Sequence, residues 1–451
     1  MTDTEELVPI NPEPLRFSWQ DPSKRATTRA VVVGVTKRSQ DRVLVQEHLQ
    51  ELKLLSDTQG IPVVADLLFV IRAMTAATFI STGKLEELEA FVKDHQITLV
   101  IFDDEISPAQ QRNLEKILKV SVIDRTEVIL GVFAMRAKTR EAKLQVELAE
   151  VKYLLPRLKR LWTHLSRQSG GGGGASGGGY LKGEGEKQIE IDRRLLKRRI
   201  ERLEKEIKEI RALRETQRSL RKRSNIPVLA IVGYTNAGKS TLMNTLTDAG
   251  VYVEDKLFDT LDTTTRKYLL SNNQEVLFID TVGFIRKLPH LLVAAFRSTL
   301  EEAVFSDLIL HVIDASYPMA FEQAETTIKV LKELESHEQP TLTILNKIDQ
   351  IGPGENPTFQ KLKLHFPRCM QISAANKTGL KELEEEIIHR LQDRRCRMNL
   401  RIPQSDYHVL ASAIREGNVL HQEYDENDVL VDIEVPANLA FRFLKYAREA
   451  V

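Results

Sequence analysis

The densest chemistry in the chain lies at residues 233–240, Gly-Tyr-Thr-Asn-Ala-Gly-Lys-Ser. An apolar run at 228–232 precedes it and a helical pattern follows. A loop in that setting offers successive backbone N–H groups, backed by the positive end of a helix, to a polyanion. Gly233 and Gly238 permit the tight course, and Tyr234, Thr235, Asn236 and Ala237 supply the intervening backbone. Lys239 neutralises phosphate charge, the Ser240 hydroxyl ligates Mg2+, and Thr241 continues the helix start. This much specifies a nucleoside triphosphate and leaves its base open.

Residues 277–284, Leu-Phe-Ile-Asp-Thr-Val-Gly-Phe, supply a second element about forty residues beyond Lys239. A strand ends in Asp280, suited to hold Mg2+ through water, and Thr281, Val282 and Gly283 follow. The Gly283 N–H is placed to meet a γ-phosphate and to sense its loss. A third element, at 341–351, names the base: after a strand come Asn346, Lys347, Ile348 and Asp349. A carboxylate at Asp349 accepts from the ring N–H and the exocyclic amino group of guanine, an arrangement adenine does not offer. Asn346 shares that reading, and Lys347 packs over the base plane. Ser373, Ala374 and Ala375 follow another strand, with an amide near Ala374 expected to donate to the guanine carbonyl. The wrong base leaves buried polar groups unpaired, so discrimination is large. GTP is therefore the expected substrate, GDP the product and Mg2+ the cofactor.

Between the first two elements lies a polar, Thr-rich segment at 256–266 that includes Phe258, Asp259, Leu261 and Asp262. A mobile loop here must bring a hydroxyl onto Mg2+ when the γ-phosphate is present. Thr260, Thr263, Thr264 and Thr265 compete for that role, and spacing does not choose. After Gly283 stands Phe284, where many regulatory GTPases carry a glutamine that orients water. A phenyl ring cannot do this, so hydrolysis is expected to be slow alone and to need a partner or another loop.

Positioning these residues requires a sheet. Residues 225–395 are expected to form a P-loop domain, a mainly parallel sheet with helices on both faces. Upstream, residues 1–133 alternate β-rich runs (30–35, 61–71, 98–104, 120–125) with helical patterns at 84–95 and 107–118, which predicts a small α/β domain. Ser107 reads as a helix N-cap with Pro108 at the first position. Residues 134–224 differ. Leu144, Leu148, Val151, Leu155 and Leu158 recur at helical spacing, as do Leu196, Ile200, Leu203, Ile207 and Ile210. Two such stripes predict a long antiparallel hairpin with arms of about 40 Å, joined by a glycine-rich tip at 169–186. From Lys187 to Arg223, fifteen Lys or Arg face seven acids, a balance suited to a polyanion. Residues 396–451 predict a small α/β appendage: helix, strand, and a second helix at 437–450.

Composition narrows the class. Lys and Arg total 64, as do Asp and Glu, so affinity for nucleic acid must be local. Two cysteines, Cys369 and Cys396, exclude a disulfide framework and suit a reducing cytosol. The acidic first ten residues do not read as a signal peptide. No apolar run reaches the ~18 residues of a membrane span, so a cytoplasmic monomer without membrane contact is expected.

The chain resembles the HflX family of ribosome-associated GTPases. Beyond the nucleotide motifs, the resemblance rests on residues 81–91, 104–116, 122–130, 136–158, 189–200, 233–244 and 280–290, in that order. It implies binding to the large ribosomal subunit and its RNA, and splitting of stalled or idle ribosomes, often under stress. It also implies Thr260 as the Mg2+-binding threonine, giving Lys239, Thr260 and Gly283 as catalytic groups. Two positions depart from the family pattern: Glu184 and Thr263 each stand where proline is usual, which loosens the backbone. Two other activities fit the same residues less fully, a large-subunit assembly GTPase and a nucleotide-driven RNA-remodelling enzyme.

Overall fold

The structure, a computed structural model, describes residues 28–158, 181–224, 226–247, 258, 263–289, 292, 302–334, 339–352, 356–392, 395–425, 427–437 and 439–447. The chain divides into two compact units, residues 1–135 with 150–199 and residues 136–149 with 200–451.

In the first unit, β1 (Ala30–Thr36), α1 (Arg42–Thr58), β2 (Val63–Val70), α2 (Thr82–Asp94), β3 (Leu99–Phe102), α3 (Pro108–Leu118) and β4 (Ser121–Asp124) alternate. α4 (Arg125–Arg136) follows directly. The sheet order is β2-β1-β3-β4, with every pair parallel. β1 and β3 are buried along their lengths, as strands covered on both faces must be. The expected start of α3 is present as a capping box: Ser107 accepts from the Gln110 amide, and the Gln110 side chain returns to the Ser107 N–H. α1, not foreseen from the sequence, buries Leu49, Leu52 and Leu55.

This unit also encloses charge. The Tyr153 hydroxyl donates to Asp124 Oδ1 (3.0 Å) and lies 3.3 Å from Glu127 Oε2. Arg157 stacks 3.7 Å over the Tyr153 ring, donates to Gln111 Oε1 and the Ile106 carbonyl, and pairs with Asp124 at 3.5 Å. Burial pushes the Asp124 carboxyl up to about 6, against the pull of the Arg157 guanidinium. Burial, then the charge of Asp124, holds Tyr153 well above its ordinary value.

The expected hairpin is formed by α5 (Arg140–Leu154) and α6 (Leu181–Ser224). In the second unit Leu148, Leu203 and Ile207 make its seam, with Leu144 and Ile200 packed against them. Two details correct the sequence reading. The first arm's α-helix is 15 residues long and gives way to a 3-10 turn at Leu155–Arg157, because Pro156 cannot donate to the helical ladder. α6 is 44 residues, about 66 Å at 1.5 Å each, and begins at Leu181, so residues 181–186 are helix and not tip. Propagation adds one hydrogen bond per residue once a helix exists, enough to carry it through Gly183 and Gly185. The rest of the proposed tip lies outside the described residues.

The P-loop domain comprises β5 (Val228–Gly233), α7 (Lys239–Thr247), β6 (Thr264–Leu269), β7 (Glu275–Asp280), β8 (Leu308–Asp314), α8 (Ala320–Glu333), β9 (Thr341–Asn346), α9 (Pro357–His365), β10 (Met370–Gln371) and α10 (Leu380–Arg390). Its sheet runs β10-β9-β8-β5-β7-β6, parallel except for β6 against β7. The C-terminal ends of β5, β7, β8 and β9 therefore point the same way, and each ends at a motif read from the sequence or beside one.

Next come β11 (Arg395–Pro403), α11 (Tyr407–Glu416), β12 (Asn418–Asp425) and β13 (Asp428–Pro436), an antiparallel sheet ordered β11-β13-β12. The helix expected at 437–450 is not formed among the described residues. Two 3-10 turns, Ala440–Arg442 and Leu444–Tyr446, stand there instead. They drop Phe443 into the core and let Ala447 bridge to Leu400, which a straight helix would carry away.

Candidate nucleotide site

The loop after β5 admits no side chain at its two glycines. A Cβ at Gly233 (φ 156°) would lie 2.2 Å from the Val312 carbonyl oxygen, and one at Gly238 (φ 88°) 2.3 Å from Asn346 Nδ2. Asn236 turns the loop in the left-handed region, φ 61°. Lys239, the first residue of α7, is 6% exposed, and its Nζ donates to the Tyr234 carbonyl at 2.8 Å. Burial pulls its ammonium down to about 8, with the charge of Asp280 resisting. A cation so placed is stabilised by any anion entering the loop. The Thr235 hydroxyl is buried and has no hydrogen-bond partner among the described residues, so the loop retains polar capacity.

Ser240 Oγ donates to Asp280 Oδ2 at 2.7 Å, joining the first helix turn to the end of β7. A hydroxyl and a carboxylate side by side are hard oxygen donors, so the pair fits Mg2+; an ion held there would offset phosphate charge. Thr260, the third expected ligand, lies outside the described residues with Asp259, Leu261 and Asp262. Of its competitors, Thr264 and Thr265 are strand residues of β6, facing Asp280 and Ile279 in register. Phe258 is buried, with φ 58°.

The segment after Asp280 is bound to the phosphate loop by backbone. The Phe284 N–H donates to the Gly233 carbonyl (3.0 Å), the Thr235 N–H to the Phe284 carbonyl (2.8 Å), and the Arg286 N–H to the Tyr234 hydroxyl (2.7 Å). Thr281 Oγ1 donates to the Ile231 carbonyl at 2.8 Å. Val282 is buried. Gly283 passes so close that a Cβ there would sit 2.8 Å from Thr235 Cγ2 and 3.0 Å from Lys239 Nζ. Phe284 is 1% exposed, a core residue that offers nothing to water.

At the base end the structure refines the sequence reading. Asn346 is consumed as a brace: its Nδ2 donates to the Ala237 carbonyl (2.9 Å), and its Oδ1 accepts from the Ala374 N–H (3.0 Å). The amide expected to serve the guanine carbonyl is thus bonded to Asn346 here, as a buried N–H must be to something. Ser373 is buried, and the Ala374 carbonyl accepts from Thr245 Oγ1. Ala375, one residue on, is exposed. Asp349 is exposed on the 3-10 turn Ile348–Gln350. Lys347 is left-handed, φ 61°, and pairs with Asp314 at 2.9 Å. Sequence reasoning did not single out Asp314. Its signal was available: an acid ending a buried strand, in register beside Asn346.

Comparison with known proteins accounts for most of the chain. Residues 46–134 match a family model described as GTP-binding GTPase N-terminal, and residues 136–221 one described as GTP-binding GTPase Middle Region. Residues 228–347 match one described as 50S ribosome-binding GTPase. The chain is 45% identical over 425 residues to GTPase HflX of Chlamydia pneumoniae, covering 94% of this chain and 88% of that one. To GTPase HflX of Escherichia coli K12 it is 41% identical over 389 residues, 86% of this chain and 89% of that one. A GTP-binding protein of Sulfolobus solfataricus, solved with GDP, is 26% identical and covers 81% of this chain and 99% of its own, with a TM-score of 0.41. With the nucleotide motifs at the C-terminal ends of neighbouring parallel strands and relatives this similar along nearly its whole length, the chain belongs to the HflX family of GTPases.

Proposed function

We propose that this GTPase docks on the large ribosomal subunit in its GTP form and dissociates stalled or idle ribosomes. In this reading Lys239, Ser240 and Asp280 hold the phosphates and Mg2+, Thr260 and Gly283 report the γ-phosphate, and Asp349 with Lys347 holds guanine. The supporting observation is α6. It is one unbroken helix of 44 residues, carrying all fifteen cationic residues of 187–223, and its end at Ser224 lies four positions before β5. A cationic rod joined this closely to the phosphate-loop strand is built to press on RNA under nucleotide control. Arg214 ties the rod to both neighbours, pairing with Glu141 on α5 at 2.7 Å and with Glu302 at 4.0 Å. Docking that differs 100-fold between GTP and GDP forms requires about 2.7 kcal/mol of differential binding, within reach of one ordered switch loop.

The test is light scattering of intact ribosomes mixed with the protein. Scattering is expected to fall with GTP and to hold steady with GDP. Unchanged scattering with GTP, alongside selective binding to immature large-subunit particles, would instead favour an assembly role.

A further inference from the structure

The positive φ of Lys347 invites a physical account. A lysine with φ 61° and ψ 34° is held in the left-handed region, where its Cβ crowds the following carbonyl. Such a residue persists only where its surroundings over-determine it. Here the restraint is visible. Lys347 Nζ pairs with Asp314 Oδ2 at 2.9 Å, and the two side chains are 21% and 13% exposed. Asp314 is itself fixed. Its Oδ1 accepts from the Ser316 N–H at 3.0 Å and from the Ser316 hydroxyl at 2.5 Å, and that hydroxyl lies 3.3 Å from Gln350 Oε1. Asp314 also faces Asn346 in the β8–β9 register, so the acid and the left-handed turn end adjacent strands.

We propose that Asp314 is a positioning residue for guanine recognition: oriented by Ser316, it anchors the Lys347 ammonium, so that the lysine stem forms a fixed floor for the base and the turn presents Asp349. Asp314 touches no nucleotide atom in this account and acts through Lys347. The inference rests on the base-reading roles proposed above. It adds a specific claim, that affinity for GTP and GDP depends on a carboxylate outside all of the nucleotide motifs.

The experiment is a double-mutant cycle in the full chain, read by the dissociation constant and dissociation rate of a fluorescent GDP. Asp314→Asn keeps shape and removes charge. It should weaken GDP by about tenfold, or about 1.4 kcal/mol, chiefly through faster dissociation, with the loss in GTP turnover appearing in KM more than in kcat. Lys347→Ala should weaken binding at least as much, and adding Asp314→Asn to it should change affinity by less than about twofold, because the pair acts as a unit. Ser316→Ala, which keeps the charge and removes one hydrogen bond, should give a smaller loss of about threefold. It also keeps the proposal testable if Asp314→Asn does not fold. Affinity within twofold of the parent in Asp314→Asn, or an equal loss with and without Lys347, overturns it. Asp349→Asn separates this from failure of the base reading. If that variant does not move preference toward xanthine nucleotides, the base assignment fails, whereas the cycle reports on Asp314 and Lys347 alone.

Discussion

Two buried cations in this molecule, Arg157 in the first unit and Lys239 in the second, are 5% and 6% exposed and do different work. Arg157 is surrounded by its own partners: Asp124, the Gln111 side-chain oxygen, two backbone carbonyls and the Tyr153 ring. Lys239 makes one hydrogen bond among the described residues, to a carbonyl in its own loop, and its ammonium is drawn down to about 8 by burial. Burial of charge does not by itself mark a functional site. A cation whose surroundings answer its charge is structural. One held by packing in front of a loop of amides keeps charge with which to answer an anion.

The comparison can be broken by exchanging the outcomes. Lys239→Ala should carry the largest effect on binding, a loss in GTP affinity of about 100-fold or more, while the melting temperature holds or rises because a desolvated ammonium is gone. Calorimetric titration beside a thermal melt reads both. A large drop in stability without loss of affinity would place Lys239 with Arg157. Conversely, Arg157→Met should destabilise the fold by about 3–5 kcal/mol, since it strands buried Asp124 beside Glu127, and GTP affinity should stay within about twofold once folded. Unfolding in urea measures this, and a loss under about 1 kcal/mol would show the cluster to be dispensable.

A smaller effect sharpens the same contrast within the P-loop domain. His311, in the middle of β8, is 2% exposed, and burial pulls it down to about 4 from an ordinary 6.5. It is neutral when folded, whereas the unfolded chain takes up a proton below pH 6.5. Its contribution to stability is therefore complete above pH 6.5 and is lost as pH falls toward 4, at about 1.4 kcal/mol per pH unit. His311→Leu should flatten that part of the acid limb in urea unfolding at pH 5.0 against 7.5, and an unchanged slope would assign the acid sensitivity elsewhere.

Legibility from sequence followed how local the cause was. The helix start at Ser107 and Pro108 and the loop around Lys239 were readable because a few adjacent residues suffice for each. The hairpin seam through Leu148, Leu203 and Ile207 was readable from periodicity alone. β11 and β12 were not. Arg397 and Arg401 look like surface charge until β13 supplies Asp432 and Asp428 across the ladder. The role of Asn346 was half hidden for the same reason, since its two partners, Ala237 and Ala374, lie far away in sequence. Asp314 was missed because its meaning depends on which strand lies beside it, and only the β8–β9 pairing decides that.

The absence of a water-orienting side chain at Phe284, with a cationic rod attached to the nucleotide domain, makes one measurement decisive. GTP hydrolysis should be timed with and without saturating purified large ribosomal subunits. A rise of about tenfold or more is expected with the subunits, because Phe284 cannot orient water and the proposed docking would supply the group that does. An equal rate in both, with the protein failing to sediment with the subunits in either nucleotide state, would contradict it.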